Sequence, residues 1–271
     1  MHIENVVIII PTYNEAQIIE ETLFQLFQAT AHITDKYIQV LVFDSASQDN
    51  TQEIVRSLQA SNPRLYLQTE PQKSGLGSAY MQAMRFALNE MAADIIVEFD
   101  ADLSHQPQYI APMLEKMNHH DVVIGSRYVP GGSIPADWGW NRKALSILGN
   151  YIARCFLGKK YRDYTSGFRM TRHTLLRHSL PEFFLSAQYG YKLQLFWLLH
   201  KNNARIFEYP ITFIDRMKGQ SKIPTNSIFD SLRVLFLLRF YDLIRPQKKP
   251  SESEVLPPLY EDIAENPLER L

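Results

Sequence analysis

Apolar residues gather in short runs at 6–10, 38–43, 65–68, 94–99 and 122–125, rich in Val, Ile and Leu. The runs are continuous rather than alternating, as a strand buried on both faces requires. Between them, at 16–29, 51–58, 77–91 and 107–117, apolar positions recur with a helical period. This alternation predicts right-handed crossovers and a doubly wound, mostly parallel α/β sheet.

In such a sheet ligands collect beyond the carboxyl ends of the strands. The residues found there are Pro11-Thr12-Tyr13-Asn14-Glu15 after the first run and Asp44 after the second. Asp100-Ala101-Asp102 follow the fourth run, and Ser126-Arg127-Tyr128 the fifth. Acids, an Arg and aromatics are thus expected to converge.

The rhythm changes past residue 130, with a turn region (Pro130, Gly131, Gly132, Pro135), a Trp138-Gly139-Trp140 segment and a predicted helix over 142–156. This half is expected to build the acceptor side. Residues 223–245 read as one more helix, dominated by Leu and Phe with Arg233, Arg239 and Arg245 along it. It suits either a helix lying among lipid headgroups or one packed on the core or on another subunit. From Pro246 the composition is that of a disordered tail. The reading is therefore a catalytic domain over 1–222, a membrane- or partner-associating helix over 223–245 and a tail over 246–271.

Composition narrows the function. With 45% hydrophobic residues in 271, the chain can bury one substantial core. A net charge of −1 gives no global field for nucleic acid, so any anion site must be local. No stretch has the ~18 to 20 consecutive apolar residues of a spanning helix, and the run at 6–10 reads as a buried strand rather than a signal. The single cysteine, Cys155, excludes an intramolecular disulfide, points to a reducing compartment and is expected to fill core.

Asp100 and Asp102 carry the strongest chemical signal. Two carboxylates bracketing one residue at the end of a buried strand call for a cation, and hard oxygen ligands suit Mg²⁺ or Mn²⁺. The alternative, acids capping the helix at Pro107, is outweighed by their position. Tyr13 and Glu15 offer an aromatic face and a carboxylate to a nucleoside, while Asn14 and Glu15 also suit an ordinary helix start. Asp44 is placed to accept hydrogen bonds from a base or ribose, or simply to begin a turn. Lys73-Ser74-Gly75-Leu76-Gly77-Ser78 reads equally as an anion loop or a tight entry to a helix. Arg127, Arg142, Arg169, Arg216 and Lys222 are the candidate phosphate ligands, at least two of which are expected to bind.

Taken together and in order, VVIIIPTYNE, VFDSASQDNT, KSGLGSAY, VEFDADLSHQP, VIGSRY, WNRK, DYTSGFR and IDRMKGQSK resemble the family 2 glycosyltransferases, most of all the polyprenol or dolichol phosphate mannose synthases. The likeness spans residues 5–225. It implies a GT-A fold, GDP-mannose as donor, a polyprenyl monophosphate as acceptor, Mg²⁺ or Mn²⁺, and inversion at the anomeric carbon. It implies peripheral attachment to the cytosolic face of a membrane, with a small membrane subunit or a second copy as possible partners. Carried over by position, Pro11, Tyr13, Glu15, Val42 and Asp44 hold the nucleoside. Asp100, Ala101 and Asp102 form the donor and metal motif, with Asp102 the direct ligand. Arg127, Arg216 and Lys222 match cations that reach the donor, and Arg142 matches a position near the lipid phosphate. The chain departs from relatives in having Ser45 after Asp44 instead of a second acid, and Ser104 where some use Gln on the metal. It also lacks the spanning helices that some carry. Family relatives using UDP-glucose or a saccharide acceptor are the alternative reading.

Overall fold

The computed structural model describes residues 3–216 and 226–244, with side chains to 241. Lys222, Arg245 and the tail over 246–271 lie outside the described residues. Seven strands form one sheet: β1 (Glu4–Thr12), β2 (Lys36–Asp44), β3 (Leu65–Thr69), β4 (Ile95–Glu98), β5 (Val122–Ser126), β6 (Arg169–Arg172) and β7 (Ile206–Pro210). The helices are α1 (Ile19–Thr30), α2 (Thr51–Ser61), α3 (Leu76–Asn89), α4 (Ile110–Lys116), α5 (Trp140–Leu157), α6 (His173–Ser179), α7 (Tyr191–Lys201) and α8 (Ser227–Ile244).

The strand order is β3-β2-β1-β4-β6-β5-β7. β1 pairs in parallel with both β2 and β4, so the winding reverses between β1 and β4 and opens a crevice at their carboxyl ends. Val6 to Ile10 are completely buried because alternate side chains enter two different cores. Val7 and Ile9 meet Ala79, Tyr80 and Ala83 of α3 on one face, whereas Val6, Ile8 and Ile10 meet Leu23 and Leu26 of α1 on the other. The doubly wound expectation is met.

β6 is the exception to the parallel rule, running antiparallel between β4 and β5. Its sequence, RMTR, carries two arginines and gives no apolar run. Arg169 is nevertheless 2% exposed, held by Glu98 of β4 through Nε–Oε2 at 2.5 Å and Nη2–Oε1 at 2.9 Å. Tyr191 donates to the same carboxylate at 3.0 Å. Arg169 is thus a strut beneath the site and not one of the expected phosphate ligands.

α5 and α8 pack side by side, and α8 also lies on α7. α8 buries Val234, Leu235 and Leu238 yet exposes Phe229, Phe236, Phe240 and Tyr241. α5 buries only Asn150, Ala153 and Leu157, so most of its circumference faces outward. Cys155 falls on that outer side and is an exposed free thiol rather than core filler. Among the described residues no helix is long and apolar enough to cross a membrane.

Candidate active site

A cleft of about 590 Å³ opens at the carboxyl ends of β1, β4 and β5. Of the residues expected to be catalytic or to bind the donor, nine line it: Pro11, Tyr13, Glu15, Asp100, Ala101, Asp102, Arg127, Arg142 and Arg216. Lys222 falls outside the described residues.

Val42 and Asp44 do not line the cleft. Val42 is fully buried in the core facing α1. Asp44 is also fully buried, accepting from Thr12 Oγ1 at 2.8 Å, Ser47 N at 2.9 Å, Ser47 Oγ at 2.5 Å and Gln52 Nε2 at 2.6 Å. Its carboxylate ties the end of β1 to the loop after β2, and this loop positions Tyr13 and Glu15. Asn14 adopts φ of 53°, tolerable for Asn, and its Oδ1 accepts from Gln48 N at 2.8 Å. Asn14 thus joins two loops instead of capping α1.

The acid pair is fixed from behind. Thr22 of α1 donates to Ala101 O at 2.7 Å, and Ser104 N donates to Asp102 Oδ1 at 3.0 Å. Leu103 between them is held at φ of 58°, a strained conformation of the kind that clusters at functional sites. Asp100 receives His105 Nε2 at 3.3 Å. Burial would raise the Asp100 carboxyl, but Lys192, His105 and Arg216 outweigh it and hold the group well below the usual carboxylate range.

The cations are also organised by partners. Arg127 donates through Nε and Nη2 to the two oxygens of Asp163 at 2.8 and 2.9 Å, and through Nη2 to Thr165 Oγ1 at 2.7 Å. Burial would lower the Arg127 guanidinium, yet Asp163 overrides it and pushes it above its ordinary value. Arg142 forks onto Asp215 at 2.8 and 3.0 Å while its guanidinium lies 3.9 Å from the centre of the Trp138 ring. Arg216 Nη2 reaches Asp102 Oδ2 at 3.1 Å. Residues 213–216 are laid over the cleft by Phe213 N, which donates to Ser133 O at 3.0 Å, and by Ile214 N, which donates to Ser104 O at 3.1 Å.

The loop over 73–78 lines the cleft through Lys73, Gly75 and Leu76 and also makes a contact within the protein. Gly77 N donates to Ala187 O at 2.8 Å, and a side chain at Gly75, whose φ is 106°, would overlap that same carbonyl. The loop therefore holds Gln188 and Tyr189 at the cleft, and burial followed by the charge of Asp100 pushes the Tyr189 hydroxyl up to about 12.

Sequence reasoning missed Lys192, His105, Tyr189 and Asp163. Asp163 stood in the quoted DYTSGFR, and Lys192 is one charge amid the apolar YKLQLFW of α7; neither shows its partner in linear sequence. Among the described residues no three His, Cys, Asp or Glu side chains converge as a closed metal cage. The donor set is instead two carboxylates at an open cleft, where a divalent ion can take Asp102 and complete its shell with solute oxygens. The guanidinium already on Asp102 marks that position as one that accepts a cation.

Residues 7–180 match the family described as glycosyl transferase family 2. The chain is 38% identical over 218 residues to the undecaprenyl-phosphate mannosyltransferase of Micrococcus luteus, covering 80% of this chain and 87% of that one. It is 32% identical over 231 residues to the polyprenol monophosphomannose synthase of Mycolicibacterium smegmatis, covering 84% of each. Its fold is shared with a mannosyltransferase from Pyrobaculum calidifontis in complex with GDP-Man and Mn²⁺, at TM-score 0.60 and 21% identity over 92% of this chain and 67% of that one. It is shared too with glucosyl-3-phosphoglycerate synthase from Mycobacterium tuberculosis bound to Mn²⁺, UDP-glucose and phosphoglyceric acid, at TM-score 0.61 and 17% identity over 88% and 80%.

Proposed function

This chain belongs to glycosyl transferase family 2, with a GT-A fold, and on that premise we propose that it transfers mannose from GDP-mannose to a polyprenyl monophosphate, inverting the anomeric carbon. The observation that carries the reading is that α5 serves two environments. It gives Arg142, Leu145, Ser146 and Gly149 to the cleft and presents Trp140, Ile147, Leu148 and Tyr151 to the outside. A phosphate on a lipid tail is an acceptor that needs both. The two curated relatives above carry names of this same reaction class, which supports the reading further.

Pro11, Tyr13 and Glu15 receive the nucleoside, with Asp44 and Val42 supporting their loop from behind. Asp102, with Asp100, would hold Mg²⁺ or Mn²⁺, which supplies positive charge to the nucleoside diphosphate as it departs. Arg216 moves from Asp102 onto the diphosphate, joined by Lys222. Arg142 orients the lipid phosphate, and Arg127, which the resemblance gave to the donor, is taken here to join it because its partners Asp163 and Thr165 lie on the segment before β6, away from the Tyr13 loop. One of its oxygens forms the new bond to the anomeric carbon as the bond to the diphosphate breaks, and the electron pair leaves with GDP. A monophosphate, with a second pKa of about 6, is already anionic at neutral pH, so no general base is required.

The apolar outer faces of α5 and α8 dock the protein peripherally on the cytosolic face of a membrane, alone, as a homo-oligomer or with a small membrane subunit. Residues 1–222 form the catalytic unit, 223–245 the docking helix and 246–271 the tail. The test is transfer of labelled mannose from GDP-mannose to a polyprenyl phosphate in detergent, with Mn²⁺ and with EDTA. Metal-dependent, butanol-extractable product is expected. Product from UDP-glucose alone, with UDP and not GDP competing, discards the mannose assignment.

A further inference from the structure

Lys192, the second residue of α7, is 7% exposed, yet it lines the cleft. Among the described residues no carboxylate lies within 4.0 Å of its ammonium, and the ammonium makes no hydrogen bond. Gly167, just before β6, makes its position possible. A Cβ there would overlap Lys192 Nζ and lie 3.2 Å from Asp100 Oδ2, so ammonium and carboxylate face each other across the space that a side chain would fill.

The other cations of the cleft are engaged. Arg127 holds Asp163, Arg142 holds Asp215, Arg216 holds Asp102, and Lys73 stands 3.5 Å from the centre of the Tyr13 ring. Lys192 has only the Asp100 carboxylate across that space and a ring contact, 5.6 Å from the centre of Tyr189, so its ammonium keeps its hydrogen bonds to give to an anion that enters the cleft. Its place in the sheet indicates which anion. Gly167 leads into β6, between β4 and β5, on the same half as Arg127 and away from the β1 loop that carries Tyr13.

We propose that Lys192 donates a hydrogen bond to a phosphate oxygen of the acceptor, acting as a catalytic residue that fixes the nucleophile. The assignment rests on the reading of the chain as a polyprenyl-phosphate mannosyltransferase. An ammonium on one non-attacking oxygen orients the group and leaves another oxygen free to reach the anomeric carbon. As a point charge with three donors, Lys tolerates the small rotation of the phosphate as the bond forms, which a forked guanidinium does not.

The experiment compares wild type with Lys192→Met and Lys192→Arg, using GDP-mannose and a short-chain polyprenyl phosphate. For Lys192→Met, kcat/KM for the acceptor is expected to fall roughly 10- to 100-fold, the worth of one charge-assisted hydrogen bond. GDP affinity should not change, any fall in melting temperature from the counter-charge that Asp100 loses should be too small to account for the lost activity, and Lys192→Arg should restore part of the loss. An unchanged acceptor kcat/KM overturns the proposal. So does a loss confined to GDP binding, which gives the ammonium to the donor diphosphate, or a fall in melting temperature that accounts for the lost activity. If wild type transfers nothing to any polyprenyl phosphate, the functional reading fails and the acceptor assignment with it. Calorimetric titration with inorganic phosphate then reads the anion site separately: binding to wild type and not to Lys192→Met keeps it, and no binding to wild type removes it.

Discussion

Arg216 Nη2 stands 3.1 Å from Asp102 Oδ2, joining the segment after β7 to the acid pair at the end of β4. The same segment carries Asp215, which is forked by Arg142 of α5. Two neighbouring residues of opposite charge thus tie three parts of the cleft together, and in both pairs the guanidinium is the member for which a phosphate can compete.

Asp102→Asn is expected to reduce mannosyl transfer at least ~100-fold, the usual cost of removing a group that stabilises developing charge. The fold should survive, because Asn keeps an oxygen for the Ser104 amide. Initial rates across Mn²⁺ concentrations, with circular dichroism, check both parts. A variant that retains wild-type rates would remove Asp102 from the chemistry.

Arg216→Ala should act differently. With Asp102 released from its ion pair, donor KM rises while the acceptor KM changes little. A rise confined to the acceptor KM would move Arg216 to the other substrate.

Asp163 is fully buried and Arg127 is 9% exposed by side chain, so Asp163→Asn leaves a guanidinium with no counter-ion. Breaking such a pair costs about 3–5 kcal/mol, or roughly 10 °C in melting temperature for a domain of this size. Calorimetry would show it. A shift of only a degree or two would mean that the pair is hydrated and weak.

Acid should weaken the fold through Asp163 and through Glu70, the buried acid that follows β3. Asp163 and Glu70 are both held below their ordinary values: burial, the largest influence in each, is outweighed by Arg127 at Asp163 and by hydrogen bonds led by Ser74 at Glu70. A depressed carboxylate contributes stability that is present above the unfolded value and lost as pH falls through the folded one. Melting temperature should therefore be nearly level above about pH 5 and decline from about pH 4 downward. In Asp163→Asn the decline should be shallower.

The outer aromatics of α8 can be changed without touching its core side. Phe229→Ser with Phe236→Ser replaces two exposed side chains, so stability should move by no more than about 0.5 kcal/mol at each position. Flotation with vesicles should fall and GDP binding persist. Removing the whole helix is the poorer test, since Val234, Leu235 and Leu238 are buried against the body of the protein. Unchanged flotation of the double variant would direct the search for the membrane contact elsewhere.

Much of the first half was legible in the sequence because β1, β2, β4 and β5 are covered on both faces and read as plain apolar runs. The acids at the end of β4 were found by the same logic of strand ends. β6 was not, since its burial depends on Arg169 meeting Glu98 across the sheet, a pairing of residues 71 apart. Asp44 and Val42 show the converse: position at a strand end did not reveal that Asp44 is consumed by loop contacts, nor did the resemblance that supplied Val42 reveal that its side chain turns into the core. Lys192 escaped notice for a related reason. Its neighbours mark α7 as an interior helix, and only the missing side chain of Gly167 explains how a charge can be there.

α5 lines the cleft with one part of its surface and faces outward with another, and on the proposed reaction this bears on how the enzyme discriminates among acceptors. On that reaction the isoprenoid tail would stay in the bilayer while only its charged end enters the protein. Recognition then depends on the head of the lipid, and tail length enters through diffusion in the plane of the membrane. One catalyst of this shape can serve a mixture of polyprenols without being tailored to any of them.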